Sequence, residues 1–287
     1  VNTLLSDNRV ASIQEHLLTQ LSAWYDQREA GNIVSELFRH YKGWNRADLL
    51  MRKQERLSES EILRFHFAGK RLAKGEPLQY ILGKAWFHGM ELTVSPAVLI
   101  PRPETEELVE LIVAQYQNGE PRILDIGTGS GCIPIALKKA LPQAHLSAID
   151  VSEDALVVAR QNAEVHGAEV HFMHKDILLE DIGDIKWDVI VSNPPYIPNS
   201  DRPDMRHQVT AHEPALALFV PDEEPLLFYK RIVLLSKSSL TPSGRVYFEI
   251  HEEMEAPLTH LLEQNEITTF QFVKDLQGKV RMLWYQL

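Results

Sequence analysis

The chain has 287 residues, is 44% hydrophobic and 24% charged, and carries a formal net charge of −11. That is a normal globular composition with room for two domains. No apolar run approaches the roughly 20 residues that span a bilayer, and the first residues lack a basic, then apolar, then small-residue signal pattern. A lone cysteine, Cys132, cannot close an internal disulfide, so a cytoplasmic protein is expected. Cys132 itself reads as a small buried residue and not as a nucleophile. No Cys/His cluster has zinc spacing. His207 with His212-Glu213, and His251 with Glu252-Glu253, are ligands by residue type only, so no metal is expected.

All 16 prolines lie at Pro77 or later. Before them, apolar residues recur with helical spacing at Ile13, Leu17, Leu18, Leu21 and Trp24, and again at Ile62, Phe65 and Phe67. Ser58-Glu59-Ser60-Glu61 resembles a helix start. Residues 1–75 are predicted to form a bundle of four or five helices, with Trp24, Tyr25, Phe38, Tyr41 and Trp44 in its core. Residues 76–99 read as a linking β-hairpin, from the alternation over Phe87 to Val94 around a glycine turn. Ile100-Pro101-Arg102-Pro103-Glu104-Thr105-Glu106 then leads into a helix from about Glu106 to Gln117. Thr105 reads as its cap. This stiff entry is placed to wall one side of a ligand pocket, with Arg102 and Pro103 as weaker pocket candidates.

Residues 100–287 alternate strand and helix as a doubly wound sheet does. Arg122 to Ile133 reads as strand, glycine-rich turn and helix, the helix running to about Ala140. A dinucleotide fingerprint needs G-x-G-x-x-G, and its third glycine would fall on Cys132. The spacing present is G-x-G-x-G after Asp125, which resembles motif I of class I S-adenosylmethionine-dependent methyltransferases. Strand two, His145 to Asp150, ends in a carboxylate suited to accept ribose hydroxyls. Strand three, about Glu169 to Met173, is followed by Asp176 and Ile177, an acid and an apolar side chain suited to an adenine.

Strand four, Trp187 to Ser192, runs into Asn193-Pro194-Pro195-Tyr196. Proline cannot donate to the next ladder position, and it holds the residue before it extended. Asn193 is therefore fixed at a strand tip. Its side-chain oxygen and the Pro194 carbonyl can each accept one N–H of a planar NH2 group, and Tyr196 can lie against the group's flat face. A nitrogen so held can offer its lone pair to a methyl group. Pro198 to Pro225 has no clear periodicity and is expected to flank the substrate entrance as a long loop, which Glu213 to Leu216 could order. Strand five spans Gly244 to Ile250, and a helix follows over about Met254 to Gln264. Two last strands, about Thr268 to Lys274 and Lys279 to Gln286, are joined too tightly to be anything but antiparallel neighbours.

Together these residues resemble the bacterial HemK/PrmC-type protein-(glutamine-N5) methyltransferases. The likeness rests on Pro77 to Gly83, Leu99 to Glu106, Asp125 to Ile133, Asn193 to Ile197, Glu213 to Leu216 and Lys274 to Lys279, and covers nearly the whole chain. Asn-Pro-Pro-Tyr alone is shared with DNA adenine and RNA guanine methyltransferases. The Ile-Pro-Arg-Pro-Glu-Thr segment is more particular, while Phe248 to Glu253 departs from the family pattern.

The resemblance implies a class I methyltransferase sheet with a terminal antiparallel hairpin over 100–287, behind a helical substrate-recognition domain at 1–75 and the hairpin linker at 76–99. It implies S-adenosylmethionine as donor, S-adenosylhomocysteine as product, and the Gly-Gly-Gln glutamine amide of class I peptide-chain release factors as acceptor. Asn193, Pro194 and Tyr196 are then the catalytic candidates, and Pro195 joins them in binding substrate. Gly127, Thr128, Gly129, Ser130 and Gly131 would hold the methionine end. Asp150 would hold the ribose, and Asp176 with Ile177 the adenine, with Asn193 also beside the cofactor.

Residues 1–75 hold 12 Lys and Arg against 9 Asp and Glu, a balance of +3, whereas the remainder holds 17 against 31, a balance of −14. An acidic catalytic domain opposes a polyanionic substrate and demotes the DNA or rRNA methyltransferase alternative. A nucleotide-dependent oxidoreductase lacks its third glycine, and a non-catalytic scaffold would not need an intact Asn-Pro-Pro-Tyr. Nothing in the sequence demands an oligomer, and a monomer is expected.

Overall fold

Val10, Ile13, Leu17 and Leu21 recur along one helix face and form the buried side of α1 (Val10–Leu21) in the computed structural model, which describes residues 7–287. The first six residues of the expected helical domain lie outside the described residues. Asp26 caps α2 (Gln27–Lys42), and Gly43 ends it with φ of 70°. Asn45 and Asp48 exchange side-chain and backbone bonds at the start of α3 (Arg46–Met51), as Ser58 and Glu61 do for α4 (Glu59–Leu72). A short α5 (Leu78–Leu82) follows.

These helices enclose one core around Leu17, Leu37, Phe38, Phe65 and Leu72, with Tyr25, Tyr41 and Trp44 packed partly buried against it. Two expectations change here. Trp24, past the end of α1, is 37% exposed and donates its indole N–H to the Ala73 carbonyl, and Phe67 is 58% exposed because a residue two after Phe65 points to another side of the helix. The compact unit also ends at Gly83 and not at 75, and it takes in residues 206–212.

The second unit begins with the hairpin, β1 (Lys84–Phe87) and β2 (Met90–Thr93). Its two-residue turn, His88-Gly89, has φ of 48° and 73°, the positive pair that a tight right-twisted hairpin needs. Pro103 opens α6 (Pro103–Tyr116). Thr105 therefore lies inside the first turn and is not the cap expected of it. The chain continues through β3 (Arg122–Ile126), α7 (Cys132–Ala140), β4 (His145–Asp150), α8 (Glu153–His166), β5 (Val170–His174) and β6 (Trp187–Ser192).

The segment from Ile197 to Val220 carries more regular structure than the expected loop. It holds β7 (Ile197–Pro198), a 3-10 turn over Asn199–Asp204, α9 (His207–His212), a second 3-10 turn over Ala215–Ala217, and β8 (Phe219–Val220), which pairs with β7 in parallel. Then come α10 (Leu227–Ser239), β9 (Leu240–Glu249), α11 (Glu255–Gln264), β10 (Thr269–Lys274) and β11 (Val280–Gln286). β9 begins four residues before the expected Gly244.

The main sheet has the order β10-β11-β9-β6-β3-β4-β5. β11 alone runs antiparallel, to both its neighbours. Leu124, Ile126, Ile190 and Phe248 face a core with α10 and α11, whereas Ile123, Val189, Val191 and Tyr247 face one with α6 and α7. This period-two division buries both sheet faces, as a doubly wound fold requires. The chain leaves β3 toward β4 and β5, then returns to β6 on the other side. β3 and β6 thus flank the point where the winding reverses, and ligands bind beyond strand ends at such a point.

Candidate active site

Glycines come first because of what they leave open. Gly127 and Gly129 have φ of 77° and 53°, and a Cβ on either would meet no atom within 4 Å. Their backbone faces free space that side chains would fill. Gly131 differs, since a Cβ there would lie 3.1 Å from Ala159 and from Ile135. It permits α7 and α8 to approach and is a packing glycine. The Gly127 and Thr128 N–H groups donate to the Ile149 carbonyl, and the Gly129 N–H donates to Asp150 Oδ2 at 2.8 Å. Asp150 Oδ1 accepts the Ser152 N–H at 2.9 Å. Burial pushes the Asp150 carboxyl up from its usual range, against these bonds. Each oxygen keeps lone-pair capacity for a hydroxyl donor.

A cleft with roughly 890 Å³ of empty volume, its open mouth included, lies at these strand ends. Gly127, Gly129, Asp150, Asp176, Ile177, Asn193, Pro194 and Pro195 all line it. The structure therefore brings eight of the sequence-predicted site residues to one place. Thr128 and Ser130 are buried with unpaired hydroxyls and, like Gly131 and Tyr196, are outside that lining. Asp176 Oδ1 accepts the Leu178 N–H at 2.9 Å, which stiffens the turn after β5.

Arg102 and Pro103 do not reach the cleft either. The wall expected of their segment is built by Ala97, Val98 and Leu99. Arg102 instead donates to Glu213 Oε1 at 2.6 Å, while the Ile100 N–H donates to Glu213 Oε2 at 3.1 Å. Glu213 is thereby anchored, and Pro214, Leu216 and Ala217 beyond it line the cleft.

Asn193 follows β6 and donates from Nδ2 to Thr105 Oγ1 at 3.3 Å. Thr105 in turn donates to Glu249 Oε2 at 2.6 Å. Tyr196 is half-buried, its ring 6.1 Å from that of His251. Burial pushes its hydroxyl up to about 12, so it stays neutral at physiological pH. His207 stacks on Trp24, and His212 meets the Lys74 carbonyl. Among the described residues no three His, Cys, Asp or Glu side chains converge as a metal site.

Several contributors carried no usable signal in the sequence. Phe228 and Ile232 of α10 line the cleft yet read as ordinary core positions. Asp125 and Glu249 had one, since each is an acid inside an apolar strand. Asp125 is fully buried and both its carboxylate oxygens lack a hydrogen-bond partner. Burial raises it to about 7, and the Thr128 hydroxyl opposes that shift without a bond of good geometry. Beside open glycine backbone and a strand-end carboxylate, an orphaned acid fits a ligand that brings a positive charge and a ribose. S-adenosylmethionine has both.

The fold and this cleft define an S-adenosylmethionine-dependent methyltransferase. A Pyrococcus furiosus methyltransferase superposes with a TM-score of 0.52 at 19% identity, covering 80% of this chain and 98% of that one. The hMettl16 catalytic domain does so at 0.56 and 19% identity, covering 89% and 90%. Family models match as well, the PrmC N-terminal domain over residues 14–83 and the methyltransferase small domain over 104–214. A release factor glutamine methyltransferase of Flavobacterium psychrophilum is 36% identical over 96% of this chain and 98% of its own. That of Bacteroides thetaiotaomicron is 48% identical over 74% and 77%. The chain belongs to the release factor glutamine methyltransferase family.

Proposed function

We propose that this enzyme methylates the side-chain amide nitrogen of the glutamine in the Gly-Gly-Gln motif of class I peptide-chain release factors. The observation that carries the reading is Asn193 at the cleft, with its NH2 end turned to Thr105 and its oxygen left to accept. Family membership supports a release-factor glutamine as substrate.

An amide nitrogen is a poor nucleophile because its lone pair is delocalised into the carbonyl. Asn193 Oδ1 and the Pro194 carbonyl accept its two N–H groups, which fixes the amide plane and strengthens the nitrogen as a donor. Pro194 and Pro195 keep the tip rigid, so little ordering remains to be done on binding. Tyr196 supports the flat face of the amide. Gly127 and Gly129 admit the methionine portion of S-adenosylmethionine, Asp150 its ribose, and Asp176 with Ile177 its adenine. When bound, that cofactor supplies an electrophilic methyl group. No dedicated base is needed, because the proton on the methylated nitrogen is acidic enough to pass to water.

No described helix is long and apolar enough to cross a membrane. The enzyme acts in the cytoplasm as a monomer, its first helical unit docking the release factor. The acidic balance of residues 76–287 favours a protein over a nucleic-acid substrate.

Purified enzyme with labelled S-adenosylmethionine, a cognate release factor, and DNA and rRNA in parallel tests the assignment. Mass spectrometry should place the label on the glutamine amide of the release factor. Label on a nucleobase amino group would overturn the substrate. Asn193→Ala should abolish transfer while leaving cofactor affinity within a few-fold, and normal turnover by that variant would refute the Asn193 mechanism.

A further inference from the structure

Asn193 can accept an N–H only if its side-chain oxygen, and not its NH2, faces the substrate. Nothing in the Asn-Pro-Pro-Tyr tip decides between the two ends, which have nearly the same shape. The decision must come from whatever bonds the other end.

Thr105 Oγ1 lies 3.3 Å from Asn193 Nδ2 and 2.6 Å from Glu249 Oε2. Thr105 is 3% exposed and Glu249 4%, so water does not compete for either. An ionised carboxylate only accepts, and a hydroxyl has one proton. With Glu249 ionised, the Thr105 proton is committed to Glu249, and only lone pairs remain toward Asn193. The asparagine must then turn its NH2 to Thr105 and its oxygen away. Were Glu249 protonated, it could donate to Thr105, whose own proton would then suit the asparagine oxygen. The amide would reverse and set its NH2 against the substrate N–H groups.

We propose that Thr105 and Glu249 are positioning residues that fix which end of the Asn193 amide faces the acceptor glutamine. The inference rests on the proposed role of Asn193. It also assigns a task to Glu249, at the end of β9. Tyr229 donates to the Glu249 backbone carbonyl at 3.0 Å, which holds the strand end in place.

Burial raises the Glu249 carboxyl to about 7, opposed by the Thr105 bond. Glu104 raises it further, while Arg281 and Arg102 lower it. Cys132, Tyr196 and Tyr229 are the other titratable groups that feel its charge, and burial raises all three. They stay neutral where Glu249 titrates; Asp125 is also raised to about 7 but bonds neither Thr105 nor Asn193, so Glu249 is the group whose change of state reaches Asn193. The ionised form is the one that orients Asn193, and turnover falls as pH drops below its pKa.

Two measurements on the full-length enzyme separate this inference from the substrate assignment. In the first, nitrogen-resolved NMR follows the Asn193 side-chain NH2, identified by its loss in Asn193→Ala. The signals should be exchange-protected and titrate near neutrality in the wild type. In Thr105→Val and Glu249→Gln they should not titrate. An Asn193 signal unchanged by Thr105→Val overturns the proposal whatever the activity.

In the second, release-factor methylation is measured. Thr105→Val should lose about 10- to 100-fold in kcat, measured well below its melting temperature and with cofactor affinity near wild type. Thr105→Ser should restore kcat to within about threefold, and Glu249→Gln should lack the acid limb of the pH profile. The double variant Thr105→Val with Glu249→Gln should be no slower than Thr105→Val alone, since both cut one chain of bonds. A kcat loss that tracks melting temperature, or that Thr105→Ser does not rescue, refutes positioning. NMR coupling without glutamine methylation would keep the positioning chain and refute the substrate instead.

Discussion

A carboxylate inside an apolar strand is costly to ionise, and Asp125 holds two unpaired oxygens between Leu124 and Ile126. Its carboxyl is raised from 3.8 to about 7. Between those values the folded protein keeps a proton that the unfolded chain has lost. Its contribution to stability is therefore largest below about pH 4 and declines as pH rises to 7. Glu249, raised from 4.5 to about 7, acts in the same direction. Asp125→Asn should stabilise the cofactor-free enzyme by about 1–3 kcal/mol at pH 7.5, with roughly a third of that gain left at pH 5, as thermal melts at the two pH values would read. The same variant should bind S-adenosylmethionine more weakly by calorimetry, because the acid without a partner is then gone. A melting gain equal at both pH values would argue against this ionisation. Asn193 and Asp150 were legible in the sequence because local rules fix them, proline stiffening for one and a strand end for the other. The Thr105–Glu249 bond was not, since it joins residues 144 apart that only the sheet brings together. Thr105 also had a local explanation, as a helix cap, that hid its actual partner.

Elements with a strong period were legible to within a residue or two. β4 and β6 have the bounds that their apolar runs predict, and α7 spans Cys132–Ala140 as the glycine turn before it implies. The segment after β7 was not, because its pieces are too short for any period to register. Its order comes instead from single side chains. Glu213 is the chief of these, accepting from Arg102 and from the Ile100 N–H. Glu213→Ala would strip a buried N–H of its partner and release Arg102 to solvent. The arginine is one-third exposed, 33% by side chain, so it recovers hydration and the loss is smaller than for a fully buried pair. A cost of about 1–3 kcal/mol is expected in urea unfolding. Pro214, Leu216 and Ala217 should then lose their fixed place at the cleft, weakening cofactor binding several-fold with little change in kcat at saturation. A stability loss with unaltered cofactor affinity would mean that Glu213 holds the chain together without shaping the cleft.

Over the whole molecule, charge is divided between the two parts of the chain, +3 over residues 1–75 against −14 beyond. That split was legible in the sequence, but the face that bears the positive charge was not, because it depends on which helix positions the bundle leaves outside. Leu50 and Met51, at the end of α3, are 66% and 77% exposed, and Arg52, Lys53 and Arg56 follow them on the surface. Arg52 is already paired with Glu55 at 2.9 Å and lies over the Trp44 ring at 5.0 Å. Lys53 and Arg56 are therefore the stronger candidates for an acidic partner surface. Exposed apolar side chains beside such charges suit a protein partner better than a phosphate backbone, which would reward charge alone. Reversing Arg52, Lys53 and Arg56 to Glu should lower release-factor affinity by roughly 5- to 20-fold, mainly through a slower association rate. Raising ionic strength should weaken wild-type binding and strengthen that of the triple variant, whose glutamates repel the acidic partner, since exposed charges are screened within about 10 Å at 0.1 M salt. Methylation of a short Gly-Gly-Gln peptide that lacks the rest of the release factor should not change. Unaltered affinity of the triple variant for the intact release factor would move the docking surface elsewhere on the bundle, while a loss that extends to the short peptide would mean that the charges act on the cleft and not on docking.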